Sequence, residues 1–257
     1  MLKEYSCLKL DGDKTESSKH EVVEEVPLSI FINGRHFVTA MISPSMRKEF
    51  VMGHLFSERI VSGIAEIESL EIEGNVARAI VTNPMRTILP RRPIVSGCGG
   101  ISSFLDESKL PEIKSDRKIE RVEIYKAMKA ISLSKLHEAT GGAHSVGLFS
   151  KDDMAIYISE DIGRHNALDK VIGYGLIKGT NFSETFAAST GRISSDMALK
   201  CSVAGIPIIA SRGATTSLAI SIAERTGLSI IGFARGKRMN IYSNPWRVKG
   251  LKLEKKE

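Results

Sequence analysis

Cys98 stands between glycines in the stretch IVSGCGGISSF, residues 94–104. A thiol with so little side-chain cover suits a nucleophile that a bulky partner must approach; it equally suits a small buried residue at a turn. Nucleophilic work needs the thiolate, and so positive charge or a helix N-terminus close by. Arg91 and Arg92 are the cations nearest in sequence. The remaining cysteines, Cys7 and Cys201, complete an odd, widely spaced set with no disulfide framework and no zinc-type spacing. Cys201 sits among apolar neighbours in ISSDMALKCSVAG and reads as a core residue; Cys7 receives no role.

Three further segments combine glycine with arginine: STGRISSD (189–196), SRGATTS (211–217) and FARGKRMN (233–240). Each follows an apolar run of strand length, and the first two lead into helical patterns, where free backbone N–H groups favour anions. One such loop is an ordinary strand ending. Three in succession at the carboxyl ends of strands point to a phosphate-bearing ligand. Arg192, Arg235, Lys237 and Arg238 would supply charge, and the backbone of Gly213, Ala214, Thr215 and Thr216 would line a phosphate. No Walker A loop occurs and no GxGxxG follows a strand, which argues against a P-loop enzyme or a dinucleotide oxidoreductase.

EDIGRHNALDK (160–170) spaces Asp161, His165 and Asp169 four apart, on roughly one face if the segment is helical throughout. Taken alone this is a polar helix face, since one histidine with carboxylates is too little for a metal site. His144, after two glycines in TGGAHSVG, is either a functional loop histidine or a turn residue.

The elements that must position these residues fall into two patterns. VPLSIFINGRHFVTAMI alternates about Asn33–Gly34, the strongest short hairpin signal. Ser43–Pro44 then looks like an N-cap and first turn for a helix with Met46, Phe50, Val51 and Leu55 on its apolar face. ESLEIEGNVARAIVTN adds two strands about Gly74–Asn75, giving a small α+β unit in the order of a β-grasp roll. Residues 86–116 are irregular and hold Cys98, and a connection of that length is usually functional or disordered. A helix is expected from about Ile124 to Thr140, closed by Gly141. Beyond Gly142, strands and helices alternate, with EDIGRHNALDKVIGYGLIKG read as a helix carrying acids in its first turn. This order implies βαβ crossovers and parallel strands in a covered sheet. The expected division is a polar start over 1–20, loose or an edge strand, a small α+β domain over 21–120 ending in the Cys98 loop, and an α/β domain over 121–257.

At 257 residues, 42% hydrophobic and 26% charged, the chain can bury a real core. Its longest apolar runs, such as LSIIGFA, are far too short for a membrane span, and the polar start shows no secretory signal. A cytoplasmic location is therefore expected, with no membrane partner. The net charge of +6 admits an anionic ligand, but no interleaved aromatic and basic block suggests nucleic acid.

The series EVPLSIFINGR, GHLFSERI, SGCGG, EDIGRHNALDKVIG, STGRISSDM, SRGATTSLAISIAE and GFARGKRMNIY resembles the formate dehydrogenase accessory sulfurtransferase family (FdhD), in family order over about residues 20–243. The resemblance implies a sulfurtransferase that takes sulfur from a cysteine desulfurase as a persulfide on Cys98. It would pass that sulfur to the molybdenum (or tungsten) bis(pyranopterin guanine dinucleotide) cofactor before the cofactor enters the formate dehydrogenase apoenzyme. It further implies a cytidine-deaminase-like α/β/α sandwich for the larger domain, a homodimer, and guanine-dinucleotide binding by Phe233, Ala234, Arg235, Gly236, Lys237 and Arg238. Arg192, Gly213–Thr216, His144 and His165 are carried along as cofactor-binding candidates. Two departures stand out. Many relatives have Cys-x-x-Cys at the loop, whereas this chain has Ile101 at the second position. The deaminase signatures His-x-Glu and Pro-Cys-x-x-Cys are absent from the sequence, so the implied fold comes without zinc chemistry. The alternative to a covalent carrier is a cofactor-binding chaperone in which Cys98 only packs or ligates.

Overall fold

The computed structural model describes residues 1–83, 110–150 and 155–251; Cys98 and its loop lie outside them. The polar start, expected to be loose or an edge strand, is a regular hairpin of β1 (Leu2–Asp11) and β2 (Lys14–Val23), turning at Gly12 with φ 59°. Nearly every residue in it is exposed, Tyr5, Leu8 and Leu10 included, and cross-strand ion pairs such as Lys19–Glu4 (2.7 Å) and Lys9–Glu16 (3.3 Å) span it.

The small unit forms as the alternation predicts. β3 (Val26–Ile32) and β4 (Arg35–Ile42) join through Asn33 and Gly34, both at positive φ (47° and 79°). The Asn33 side chain then binds both backbone groups of Val81 (2.8 and 3.1 Å), stapling the turn to the neighbouring strand. Helix α1 (Arg47–Ser57) and strands β5 (Ile67–Glu73) and β6 (Val76–Val81) complete a sheet of order β4-β3-β6-β5, parallel only between β3 and β6. Leu28, Ile30, Phe50, Val51 and Leu55 lie in its core. Ser43 does not open α1. The helix starts at Arg47 after Met46 in the left-handed region (φ 55°), while Ser43 is fully buried with its N–H donating to Asp161 Oδ2 (3.0 Å). A carboxylate 118 residues away outcompetes the local capping role.

In the larger unit, α2 (Arg121–Ser132) and α3 (Lys135–Thr140) replace the single helix expected over 124–140. The Glu160 carboxylate accepts from Ser134 Oγ and from the Leu136 N–H (2.8 Å), so it satisfies the start of a second helix at the break. There follow β7 (His144–Phe149), β8 (Ala155–Asp161), α4 (Arg164–Ile177), β9 (Phe186–Ser189), α5 (Ser195–Ala204), β10 (Ile208–Ser211), α6 (Ser217–Thr226), β11 (Ser229–Arg235) and β12 (Arg238–Ile241). Among the described residues the sheet runs β12-β11-β10-β9-β7-β8. Only β9, β10 and β11 are parallel; β7 is antiparallel to both neighbours and β12 to β11, so the sheet is mixed. Its two faces are covered differently. Leu168, Met197, Cys201 and Ile222 of α4, α5 and α6 pack on one, and Ile124, Met128 and Ile131 of α2 on the other. Cys201 is fully buried, as its setting suggested, and burial pushes its thiol pKa up. Residues 110–119 also lie against this unit, through Ile113 N–H to Thr226 O (2.8 Å) and Ile119 N–H to Arg247 O (2.7 Å). No helix among the described residues is long and apolar enough to cross a membrane.

Candidate anion-binding site

The three glycine–arginine segments meet at the carboxyl ends of β9, β10 and β11. Backbone hydrogen bonds zip them side by side. Ile193 N–H donates to Ala214 O (2.9 Å), Thr216 N–H to Ile193 O (3.2 Å), Arg212 N–H to Ser189 O (3.1 Å) and Phe233 N–H to Gly213 O (2.9 Å). Arg235 Nε adds a bond to Arg212 O (3.0 Å). Buried serines brace the ledge from beneath: Ser189 Oγ accepts from Gly191 N–H (3.1 Å), and Ser211 Oγ accepts from Gly213 N–H (2.9 Å) while donating to Gly191 O (2.5 Å). Gly213 is tightly placed, since a Cβ would sit 3.1 Å from the Arg192 nitrogen and 3.3 Å from the Gly191 carbonyl carbon, and a side chain there would push the first loop away. Ser194 and Thr216 cap α5 and α6 by accepting from Met197 N–H (3.4 Å) and Ala219 N–H (3.3 Å). Arg192, Arg212, Arg235, Lys237 and Arg238 are all exposed around these loops.

The FARGKR segment divides by role. Ala234 is 1% exposed and belongs to the core under α2, so it cannot touch a ligand. Gly236 (φ 56°) turns β11 into β12, and the Lys237 carbonyl accepts from Tyr125 Oη (3.1 Å). Phe233 is the unusual member. It has φ 51° at a bulge between Gly232 and Arg235, and its side chain remains 41% exposed. The left-handed region costs an ordinary L-residue about 1–2 kcal/mol.

Asp161 does not share a helix face with His165 and Asp169, because β8 runs through Asp161 and α4 begins only at Arg164. Asp161 instead makes a fully buried pair with Lys170 (2.6 Å). His165 does lie beneath the ledge: Nε2 shares a hydrogen bond with Ser194 Oγ (2.9 Å) and stands 3.6 Å from Asp196 Oδ2. Burial and then the charges of Arg164 and Lys200 lower its pKa to about 3, which keeps the ring neutral at physiological pH. His144 is half-buried at the start of β7, 3.5 Å from Thr190 Oγ1 and against Gly191, whose Cβ would lie 3.2 Å from its Nδ1. Thr215 bridges to Ile193 and links the first two loops.

One group of residues escaped sequence reasoning. Asp169 accepts from His54 Nδ1 (2.9 Å), Ser57 Oγ (2.8 Å) and Lys200 Nζ (2.9 and 2.8 Å), joining α1 of the small unit to α4 and α5 of the larger one. Burial pushes its carboxyl up, but Lys200 and His54 outweigh that and hold its pKa at about 2. Beside this network α1 and α4 touch backbone to backbone: a Cβ on Gly53 would lie 1.8 Å from Asp169 O, and one on Gly173 would lie 1.8 Å from Glu49 O. Glycines inside helical patterns were the available signal.

The sequence profile of the FdhD/NarQ family matches residues 23–249, which takes in the whole ledge and the buried joint. The chain belongs to the FdhD/NarQ family. It is similar to the "Sulfur carrier protein FdhD" of Methanothermobacter thermautotrophicus, with 35% identity over 250 residues covering 96% of this chain and 99% of that one. The protein of the same description from Bacillus pumilus is 36% identical over 237 residues, covering 89% and 90%. In solved structures, the chain resembles a candidate formate dehydrogenase accessory protein from Desulfotalea psychrophila, with a TM-score of 0.79, 25% identity, and coverage of 96% and 99%. The family profile starts at Val23, where β2 ends. Among the described residues, no group of three or more His, Cys, Asp or Glu side chains could hold a metal ion.

Proposed function

We propose that this chain is a persulfide carrier that loads sulfur onto a metal–pterin dinucleotide substrate destined for formate dehydrogenase. The observation that carries the reading is the zipped ledge of three arginine-bearing loops, in a family whose relatives are described as sulfur carriers. Phosphates of a dinucleotide suit exposed Arg192, Arg212 and Arg235 over the capped starts of α5 and α6. The bound molybdenum or tungsten bis(pyranopterin guanine dinucleotide) is substrate rather than resident cofactor. The mixed sheet with helices on both faces is read as a cytidine-deaminase-like scaffold working without zinc.

In the loading step, the Cys98 thiolate attacks the terminal sulfur of a cysteine desulfurase persulfide. The new S–S bond forms as the donor's S–S bond breaks, and the donor cysteine leaves as thiolate. Delivery as sulfide then requires two electrons. A neighbouring cysteine would supply them by closing a disulfide, but Ile101 occupies that position, so the electrons come from the acceptor's own chemistry or from an external thiol that takes Cys98 into a mixed disulfide as sulfide leaves. Homodimer formation and cytoplasmic residence belong to the same reading.

Incubation with an active cysteine desulfurase and cysteine is expected to add one sulfur to the Cys98 peptide, read by mass spectrometry. Cys98→Ala is expected to abolish activation of formate dehydrogenase while guanosine diphosphate binding survives. A protein that never gains the sulfur beside an active desulfurase refutes the carrier reading. A Cys98→Ala chain that still activates the enzyme points instead to the non-covalent chaperone.

A further inference from the structure

The hairpin of β1 and β2 is a two-stranded sheet of its own, joined to neither larger sheet. Its register runs without a shift from Leu2 opposite Val23 to Asp11 opposite Lys14. One step before that register begins, Glu24 N–H donates to Met1 O (2.7 Å). Hydrogen-bonded and non-hydrogen-bonded pairs alternate along an antiparallel ladder, so the odd-numbered residues of β1 are the ones that bond β2. The N–H and C=O groups of Leu2, Glu4, Ser6, Leu8 and Leu10 point the other way, along an edge that no described strand pairs.

That edge lacks the usual protections. β1 is a regular run of 10 residues, LKEYSCLKLD, with no proline and no bulge. Leu8 and Leu10 are each 72% exposed and Tyr5 57%. A long, regular and partly apolar edge is a template for another strand, and a hairpin alone is a marginal structure that extra strands stabilise.

We propose that β1 pairs antiparallel with β1 of a second copy of this chain, about a two-fold axis at Cys7, so that two hairpins form one four-stranded sheet. The proposal takes only the homodimer from the reading above and names an interface for it. Facing residues lie on the same side of a sheet, so a two-fold axis through it must set one residue opposite its own copy. Centred on Cys7, Lys3 faces the partner's Asp11 twice over, Tyr5 faces the partner's Lys9, and the outward backbone groups link Ser6 with Leu8 and Glu4 with Leu10. Within its own hairpin Asp11 already lies opposite Lys14, and Lys3 holds Glu24 (2.8 Å), so the new pairs continue rows of alternating charge. Centred one residue earlier, on Ser6, the same strands would oppose Lys3 and Lys9, a like-charge pair. Registers displaced further shorten the overlap.

The test uses the full chain with Cys98→Ala, in which Cys7 is the accessible thiol because Cys201 is fully buried. Mild copper–phenanthroline oxidation is expected to link two chains through Cys7, read on a non-reducing gel. Moving the thiol by one residue, with Cys7→Ser and Ser6→Cys, is expected to abolish the link, since the two Ser6 positions would lie diagonally, about 7–8 Å apart or more, beyond the reach of a disulfide. In sedimentation velocity, Lys3→Glu is expected to weaken the dimer by about tenfold over its two symmetric contacts, and adding Asp11→Lys to restore most of the loss. A dimer that neither links through Cys7 nor responds to Lys3→Glu overturns the arm pairing and leaves the homodimer standing. Linkage through Ser6→Cys in place of Cys7 overturns the register and the proposal with it. A chain that sediments as a monomer at micromolar concentration overturns both the arm pairing and the homodimer.

Discussion

Charge is handled in opposite ways at the joint and at the ledge. At the joint, Lys200, Asp169 and Ser57 are buried, and the Asp169 carboxylate receives four hydrogen bonds from three side chains. At the ledge, five cationic residues are exposed, and the structure beneath them is braced mainly by backbone and serine hydrogen bonds. A buried ion pair with every oxygen engaged has nothing left to offer a ligand, and breaking it leaves an uncompensated charge in the interior. An exposed arginine beside a capped helix start contributes little to stability and can gain much from an anion. The joint therefore reads as the device that fixes one unit on the other, and the ledge as the surface that works.

Substitutions should separate the two regions cleanly. Asp169→Ala strands Lys200 in the interior and is expected to cost about 3–5 kcal/mol in urea unfolding. A variant as stable as the parent would mean that the joint is not structural. Gly53→Ala is expected to cost about 3 kcal/mol or somewhat less, at the upper end for an overpacked contact, since its Cβ meets a carbonyl oxygen at 1.8 Å and neither helix can move without the other. Both changes should leave the ledge's affinity for pyrophosphate within a few-fold wherever the chain remains folded. A loss of binding parallel to the loss of stability would erase the distinction between the two regions.

The sequence was most informative where the signal is local. Asn33–Gly34 and Gly74 turn as their types require, and the glycine–arginine segments end strands as their spacing suggests. It misled where a distant charge outbids a local preference. Ser43 has the form of an N-cap but answers to Asp161, and the helix over 124–140 breaks because Glu160 reaches it from β8. The acids of EDIGRHN looked like a first helical turn, yet β8 keeps Asp161 in extended backbone to reach Lys170. Of the candidate site residues, Arg192, Gly213 to Thr216, Phe233 and Arg235 come together, Ala234 is withdrawn into the core, and Cys98 falls outside the described residues. The Asp169–Lys200–His54 joint could not be read from spacing at all, because its members come from three helices far apart in the chain.

His165 stands between the two regions, and its titration gives the most selective effect. In the folded chain its pKa lies at about 3 against an ordinary 6.5, through burial first and then Arg164 and Lys200. Between these values the unfolded chain takes up a proton that the folded chain refuses, so stability falls as pH drops through 6.5 and this contribution is exhausted near 3. Asp169 acts in a lower window: held at about 2 against an ordinary 3.8, it stabilises the fold above 3.8 and loses that contribution as pH falls toward 2. Urea unfolding between pH 7 and 4 should therefore show a slope from His165 of at most about 1.4 kcal/mol per pH unit. His165→Gln, which can still hydrogen-bond Ser194, should remove that slope while leaving the acid limb set by Asp169. An unchanged slope would mean that the ring accepts its proton inside the fold. In that case His165 would belong with the cations of the ledge, and the boundary between the saturated interior and the working surface would have to be drawn below it.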